Sequence, residues 1–189
     1  MHKFDNCLVV GVSSRALFDL EDENKIYNEQ GIKAYSDYQI AHENDILKPG
    51  TAFSLIKALL NLNHLKPDER KTEIIIMSRN SADTSLRIFN SIKHYGLDIT
   101  RAALSGGTSI STYLEAFKTD LFLSANEEDV RKAVKANIAA GIIYTQHLES
   151  VSRGEEIDQI RIAFDGDAVL FSDESEKIFQ TCGIEAFQE

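Results

Sequence analysis

Short apolar runs alternate with amphipathic stretches along most of the chain. The apolar runs predict buried strands over 7–12, 72–78, 100–107, 120–125 and 139–145. Between them, apolar residues recur every three or four positions, which predicts helices over 20–44, after Thr51, after Ser81, around 113–117 and over 127–137. Strands that alternate with helices over short links are typical of a parallel sheet covered on both faces. We therefore predict an α/β, Rossmann-like fold with helices on both faces of the sheet.

Local signals predict where several helices begin, end or break. Gly31 interrupts the pattern over 20–44 and should divide that helix, and Gly96 should end the helix that starts at Ser81. Thr51 is the predicted N-cap of the next helix, and Asn126 with Asp129 resembles a capping arrangement. The helix after Ser81 should bury one apolar stripe. Its predicted members are Leu86, Phe89 and Ile92.

The apolar signal restarts late in the chain, after a polar stretch over 146–157 that reads as a linker. "KIYNEQGIKAY" (25–35) and "KIFQTCGIEAF" (177–187) match at Lys, Ile, an aromatic residue, Gly, Ile, Ala and a second aromatic residue. This match predicts that residues 1–145 form one unit and that a second copy of this unit starts at residue 158. By Glu189 the second copy contains only its first strand (159–164) and its first helix. Chance similarity of two amphipathic helix starts is the alternative.

Composition narrows the classes of partner and compartment. The 189 residues include 20 Lys and Arg against 30 Asp and Glu, a formal net charge of −10, which repels a nucleic-acid backbone. No apolar run approaches the roughly 20 residues of a membrane-spanning helix. Cys7 and Cys182 form no disulfide framework, so a reducing, cytoplasmic compartment is expected. We expect no nucleic-acid and no membrane binding.

Two acids follow the late apolar run. Asp165 and Asp167 flank Gly166 directly after residues 159–164. At the carboxyl end of a parallel strand, such a pair would face the crevice where α/β sheets bind ligands. Their mutual repulsion favours a divalent cation, and oxygen-only ligands suit Mg²⁺. One carboxylate could attack phosphorus while the other moves a proton. A solvated pair of loop acids is the common alternative.

The segment "DGDAVLF" resembles the first motif of the haloacid dehalogenase-like phosphotransferases. More widely, "VSSRALFDLEDENKIYNEQG", "HENDILKPGTAF", "SRNSADTSLRIFNSIKHYGLDITRAALSGG", "DLFLSANEEDV" and "IRIAFDGDAVLFSDESE" together resemble the cytosolic 5′-nucleotidase I family. This resemblance implies a haloacid dehalogenase-like fold and Mg²⁺-dependent hydrolysis of nucleoside 5′-monophosphates, AMP or IMP, to nucleoside and phosphate. It also implies that Asp165 forms an aspartyl-phosphate and that Asp167 is the acid and base. Both would hold Mg²⁺, Asp167 through its backbone carbonyl.

Residues 1–145 depart from that pattern. Aligning the two copies places Asp165 on Ser13 and Asp167 on Arg15, and "DLFLSA" offers Ser124 where the family carries acids. The first copy is therefore predicted to be a degenerate, non-catalytic half. The superfamily's later motifs would fall beyond Glu189 in the second copy. Two alternatives follow, a non-catalytic nucleotide-binding or assembly module, and a homo-oligomer in which residues 158–189 complete another chain's sheet.

Polar residues at other strand ends are candidates for substrate binding. Ser78, Arg79 and Asn80 end the second predicted strand and could grip a phosphate or a base, or could form a polar turn with a helix cap. "SGGTS" (105–109) could cradle an anion with backbone N–H groups, although a plain turn is favoured. Arg15 could reach a ligand, although neutralising neighbouring acids is favoured.

Overall fold

A computed structural model of the protein describes residues 6–145, 159–164, 166–172 and 174–182. The chain forms two units, Met1–Asp158 and Gln159–Glu189, called here the first and the second unit. The predicted linker over 146–157 lies outside the described residues, and the predicted domain boundaries stay predictions. In the described part of the chain, no helix is both long and apolar enough to cross a membrane.

A parallel five-stranded sheet organises the first unit. Its strands are β1 (Leu8–Val12), β2 (Thr72–Ser78), β3 (Arg101–Leu104), β4 (Leu121–Ser124) and β5 (Ala139–Ile142). The spatial order is β3-β2-β1-β4-β5, and all neighbours are parallel. The chain builds outward from β1 to β3 and then returns to the other side of β1 with β4. The carboxyl ends of β1 and β4 therefore meet where the direction of winding reverses, the usual ligand position in such sheets.

Helices surround this sheet. They are α1 (Ser14–Leu17), α2 (Glu21–Ala41), α3 (Phe53–Asn61), α4 (Leu86–His94), α5 (Ser111–Ala116) and α6 (Glu127–Lys135), with 3₁₀ turns over Leu62–His64 and Asp83–Ser85. Successive strand residues point to opposite faces, and in β1 both Val9 and Val10 are buried. The same holds for Ile74 and Ile75 in β2. Both faces of the central strands are covered, so the predicted α/β, Rossmann-like fold is confirmed.

Two local predictions about helix ends are confirmed. The backbone of α2 leaves the helical region at Gly31, where φ is 84° and ψ is 179°. A positive φ of this kind favours glycine, because it has no Cβ to clash. At α6, the Asn126 side chain accepts a hydrogen bond from the Asp129 amide at 3.0 Å. Gly31 and Asn126 thus set the helix break and the helix start through local backbone conformation and hydrogen bonding, which tertiary contacts do not change here.

The predicted N-cap at Thr51 is wrong. Helix α3 begins at Phe53, and Thr51 is exposed. The turn before α3 is held instead by the carbonyls of α1, since Gly50 N donates to Leu17 O at 2.8 Å and Ala52 N donates to Ala16 O at 2.9 Å. These tertiary backbone hydrogen bonds fix the turn before α3, and no side-chain cap hydrogen bond forms at the start of the helix.

The predicted stripe on α4 is wrong at two of its three positions. Leu86 is 47% exposed and Phe89 is 36% exposed, whereas Arg87, Ile88, Ser91 and Ile92 are buried. The polar members of the buried face have partners on other segments. Arg87 forms an ion pair with Glu23 of α2, and Ser91 Oγ accepts a hydrogen bond from Leu47 N at 2.9 Å. Hydropathy alone does not reveal these partners.

The second unit contains a π-helical turn (Gly166–Leu170) and helix α7 (Glu174–Cys182). The strand predicted over 159–164 is not formed, and Ile162 and Phe164 are 55% and 62% exposed. A strand forms only when a neighbouring strand pairs with its backbone N–H and C=O groups. The hydropathy pattern does not show whether such a neighbour is present. The helix predicted to follow is present as α7. Asp165 lies outside the described residues, and the repeat relation between the two units stays a prediction.

A glycine-to-alanine pair tests the packing of the turn before α3. A Cβ on Gly50 would lie 2.8 Å from the backbone oxygen of Ala16 and 2.8 Å from the backbone carbon of Phe18. We expect Gly50→Ala to lower the free energy of unfolding by about 1–3 kcal/mol, measured by urea denaturation. Gly141→Ala is the control, because its Cβ would meet only Leu123 Cδ2 at 3.5 Å. Equal urea midpoints for the two variants would contradict this packing.

Candidate functional site

A cavity of about 380 Å³ opens at the carboxyl ends of the central strands of the first unit. Ser13 directly follows β1, Ser78 ends β2, and Ser124 ends β4, and all three side chains line the cavity. Parallel pairing brings these three positions to one edge of the sheet. The remaining wall comes mainly from α2, from the turn after β2, and from Asn126 and Asp129 at the start of α6.

The Ser13 hydroxyl is fixed by the backbone. Its oxygen accepts hydrogen bonds from Ala16 N at 3.3 Å and from Ala125 N at 3.2 Å. A serine hydroxyl offers two acceptor lone pairs and one proton. Because both lone pairs of Ser13 are engaged, its proton is what remains to offer to the cavity. Ser13 is therefore suited to donate a hydrogen bond and poorly suited to act as a nucleophile.

The other strand-end hydroxyls are arranged in a similar way. Ser78 Oγ accepts a hydrogen bond from Asn80 N at 3.2 Å, and Ser124 Oγ accepts one from Asn126 N at 3.1 Å. Ser14 Oγ lies 3.3 Å from Ser78 Oγ, so one of these two hydroxyls donates to the other. The edge of the sheet thus presents hydroxyl protons toward the cavity, an arrangement that suits an anionic or carbonyl oxygen.

The predicted substrate-binding residues Ser78, Arg79 and Asn80 all line this cavity. Arg79 is engaged by Asp129 of α6, with Nε 3.1 Å from Oδ1, and the hydrogen bond from Arg79 to Asp129 raises the pKa of the guanidinium above its ordinary value. The buried side-chain nitrogen of Asn80 makes no hydrogen bond within the described part of the chain. The Asn80 amide also lies near the Tyr35 phenol, and the Ser78 hydroxyl shares a hydrogen bond with Ser14. The binding roles of Ser78, Arg79 and Asn80 stay predictions.

The glycine segment over 105–109 forms a plain turn, as favoured from the sequence. Gly106 N donates to Asn80 O at 3.2 Å, and Gly107 N donates to Arg79 O at 2.6 Å. Both amides are therefore occupied and cannot cradle an anion. Their hydrogen bonds instead hold the backbone carbonyls at the end of β2, which fixes one wall of the cavity.

Arg15 lines the cavity from α1. Its Nη2 lies 3.1 Å from Glu21 Oε1, and both side chains are about one third exposed, at 32% and 37%. This ion pair agrees with the favoured interpretation that Arg15 neutralises a neighbouring acid. However, Arg15 Nε is buried and has no hydrogen-bond partner among the described residues. The guanidinium therefore retains an unused donor.

One wall of the cavity is aromatic and apolar. Tyr27, Ile32 and Tyr35 project from α2 on either side of the break at Gly31, and the two tyrosine rings meet edge-on with centroids 5.8 Å apart. Burial raises the pKa of the Tyr35 phenol, while the nearby amides of Gln39 and Asn80 oppose that shift. The phenol stays neutral at ordinary pH. The sequence did not single out these residues, because the break in α2 decides which side chains line the cavity.

The carboxylates of this cavity do not suit a metal ion. Glu23 is paired with Arg87, and Asp129 is paired with Arg79. Nowhere in the described ranges do three or more His, Cys, Asp or Glu side chains gather in a way that could hold a metal. Asp165 and the Asp167 side chain lie outside the described structure, although Asp167 belongs to the π-helical turn. The catalytic and metal roles predicted for this pair stay predictions.

The Glu23–Arg87 pair provides a stability test, because it joins α2 to α4 behind the cavity and both side chains are at most 10% exposed. Glu23→Ala would leave the Arg87 guanidinium buried without its carboxylate. We expect the free energy of unfolding to fall by about 3–5 kcal/mol, measured by urea denaturation. Glu127→Ala is the control, because it removes the exposed partner of Arg131 and should change stability little. Similar losses in both variants would contradict a structural role for the buried pair.

Comparisons with known proteins identify the family of the chain. The profile of the 5′-nucleotidase family matches residues 1–189. Human cytosolic 5′-nucleotidase 1B is 40% identical over 187 residues, which cover 96% of this chain and 30% of that protein. No solved structure matches significantly. The chain spans about 30% of the length of the curated relative, yet its own length is matched throughout. The chain therefore belongs to the 5′-nucleotidase family.

Proposed function

We propose that the protein hydrolyses nucleoside 5′-monophosphates, AMP or IMP, to a nucleoside and inorganic phosphate in the cytoplasm. The observation that carries this proposal is the Asp165-Gly166-Asp167 motif in a chain matched over residues 1–189 by the 5′-nucleotidase family. The similarity to a cytosolic 5′-nucleotidase supports both the reaction and the compartment. The net charge of −10 supports a small substrate rather than a nucleic acid.

In the proposed reaction, a carboxylate oxygen of Asp165 attacks the phosphorus, and the bond from phosphorus to the ribose 5′-oxygen breaks. Asp167 gives its proton to the departing oxygen, which leaves as the nucleoside hydroxyl. The resulting aspartyl-phosphate is then attacked by water, whose proton passes to Asp167. Phosphate leaves, and Asp165 is restored as a carboxylate. Both residues return to their starting protonation states.

Mg²⁺ is the cofactor in this proposal. The Asp165 carboxylate and the Asp167 backbone carbonyl would supply the oxygen-only donors that Mg²⁺ prefers, and the cation would screen the repulsion between Asp165 and the phosphate. The first-unit cavity does not fit that role, since Arg87 and Arg79 neutralise its carboxylates. Asp165 and Asp167 are therefore the residues proposed to hold the ion, Asp167 through its backbone carbonyl.

The residues of the first unit are proposed to contribute to nucleotide binding. Ser78 and Asn80 line the cavity, and Arg79 braces its wall through Asp129. A non-catalytic nucleotide-binding module is the alternative function. The observation that favours it is this same cavity, which is of nucleotide size but whose carboxylates are paired with arginines.

Phosphate release from AMP and IMP tests the catalytic pair. Asp165→Asn should reduce the rate to background because the nucleophile is lost, and Asp167→Asn should reduce it about 10²–10⁴-fold because proton transfer is lost. Asp68→Asn, at an exposed position outside the cavity lining, should match the wild type. Unchanged release by Asp165→Asn would remove Asp165 as the nucleophile. Nucleotide binding without any release by the wild type would favour the binding module.

Removal of divalent cations tests the metal. Phosphate release should fall to background in excess EDTA and should return when Mg²⁺ is added beyond the chelator. The same additions should leave the circular dichroism of the protein unchanged, since the sheet and its helices hold together without metal ligands among the described residues. Release that persists in EDTA would contradict a metal-dependent reaction.

A further inference from the structure

We propose that the cavity of the first unit binds a nucleoside 5′-monophosphate without a metal ion and without hydrolysing it, with Arg15 as the cation that receives the phosphate. The class of nucleotide rests on the proposed function. The binding event itself does not, because it uses neither Asp165 nor Mg²⁺.

Arg15 has the charge and the free donor that a phosphate needs. Arg15 lines the cavity, its buried Nε–H makes no hydrogen bond among the described residues, and its Nη2 pair with Glu21 at 3.1 Å is partly exposed at both ends. Such exposed pairs contribute little, so they compete weakly with a phosphate dianion. A guanidinium can bind two phosphate oxygens at once, which a lysine ammonium cannot do in the same geometry.

The strand-end hydroxyls complete the phosphate site. Ser13 Oγ accepts from two backbone amides, so its own proton remains for a ligand, whereas Ser124 is fully buried and holds Asn126 N at the cavity edge. The Ser14 and Ser78 hydroxyls share one hydrogen bond between them, which leaves a further proton available. Hydroxyl donors and the Arg15 guanidinium therefore line the cavity at the carboxyl ends of the strands, while Arg79 is engaged by Asp129. This set binds an anion directly and needs no metal ion.

The same set does not support phosphoryl transfer. A nucleophile would need an oxygen with a free lone pair and a base beside it, and both lone pairs of Ser13 receive amide protons. The carboxylates of the lining, Glu23 and Asp129, form ion pairs with Arg87 and Arg79. The sequence alignment of the two copies places Arg15 on Asp167, so a cation stands where the catalytic motif has an acid. The first-unit cavity therefore binds a nucleotide phosphate without cleaving it.

The aromatic wall suits a nucleoside. Tyr27, Ile32 and Tyr35 give an aromatic and apolar surface in the cavity lining, and Tyr27 and Ile32 are 49% and 70% exposed. A planar base that packs on these exposed apolar side chains removes their surface from water, which favours nucleotide binding. The volume of about 380 Å³ lies within the range of small-molecule sites. A bare phosphate ion would leave this wall uncovered.

Calorimetric titration of the full chain with AMP and with IMP, in excess EDTA, tests the proposal. We expect binding of at least one nucleotide by the wild type and an affinity at least about tenfold lower in Arg15→Gln, or about 1.4 kcal/mol. Arg131→Gln is the matched control, because Arg131 also pairs with a glutamate but lies outside the cavity lining, and it should keep wild-type affinity. Absence of binding to the folded wild type, or equal affinities in the two variants, would overturn the proposal.

A second pair of variants tests the nucleoside wall at exposed positions that folding tolerates. Ile32→Asn should weaken nucleotide binding in EDTA, whereas Leu65→Asn, 78% exposed and outside the lining, should not. Equal effects of the two changes would overturn the assignment of this wall.

Asp165→Asn separates this proposal from the proposed function. Its affinity in EDTA should equal that of the wild type, and loss of binding would place the nucleotide at the aspartate pair and overturn the first-unit site. Failure of the hydrolytic proposal would show only in the phosphate-release assay. The two readouts can therefore fail independently.

Discussion

The pairing of β1 with β2 on one side and β4 on the other decides where the polar groups of the first unit lie. Because all three strands are parallel and buried on both faces, their carboxyl ends meet at one edge of the sheet. Ser13, Ser78 and Ser124 occupy those ends, and backbone amides orient each hydroxyl oxygen. Without this pairing, the three serines would be unrelated residues more than forty positions apart.

Charge pairing then decides what the cavity can bind. Each carboxylate of the lining is held by an arginine, Glu23 by Arg87 and Asp129 by Arg79. A buried carboxylate without a partner would lower the stability of the fold, and the arginines prevent this loss. Because both carboxylates are paired, they do not serve as metal ligands. Arg15 keeps an unused donor. The cavity thereby favours an anionic ligand, although the chain as a whole carries a net charge of −10.

The proposed chemistry and the proposed binding use opposite electrostatics. Two acids at Asp165 and Asp167 require a cation before a phosphate can approach, whereas Arg15 with the strand-end hydroxyls attracts a phosphate directly. If both proposals hold, the chain binds the same class of ligand at two sites, of which one cleaves the ligand and the other retains it. Both proposals are consistent with membership of the 5′-nucleotidase family.

The sequence by itself determined the order of the five strands of the first unit along the chain, the break at Gly31 and the cap at Asn126, because these depend on hydropathy and local backbone chemistry. It also placed polar residues at the strand ends and indicated the family through five segments along the chain, one of which contains Asp165 and Asp167. Only the tertiary structure decided which face of α4 is buried, because a buried Arg87 needs a charged partner from another helix. It also decided how the turn before α3 is held, because the hydrogen bonds of that turn come from α1. The tyrosine wall and the engagement of Arg79 likewise depend on contacts between segments distant in sequence, which no local pattern contains.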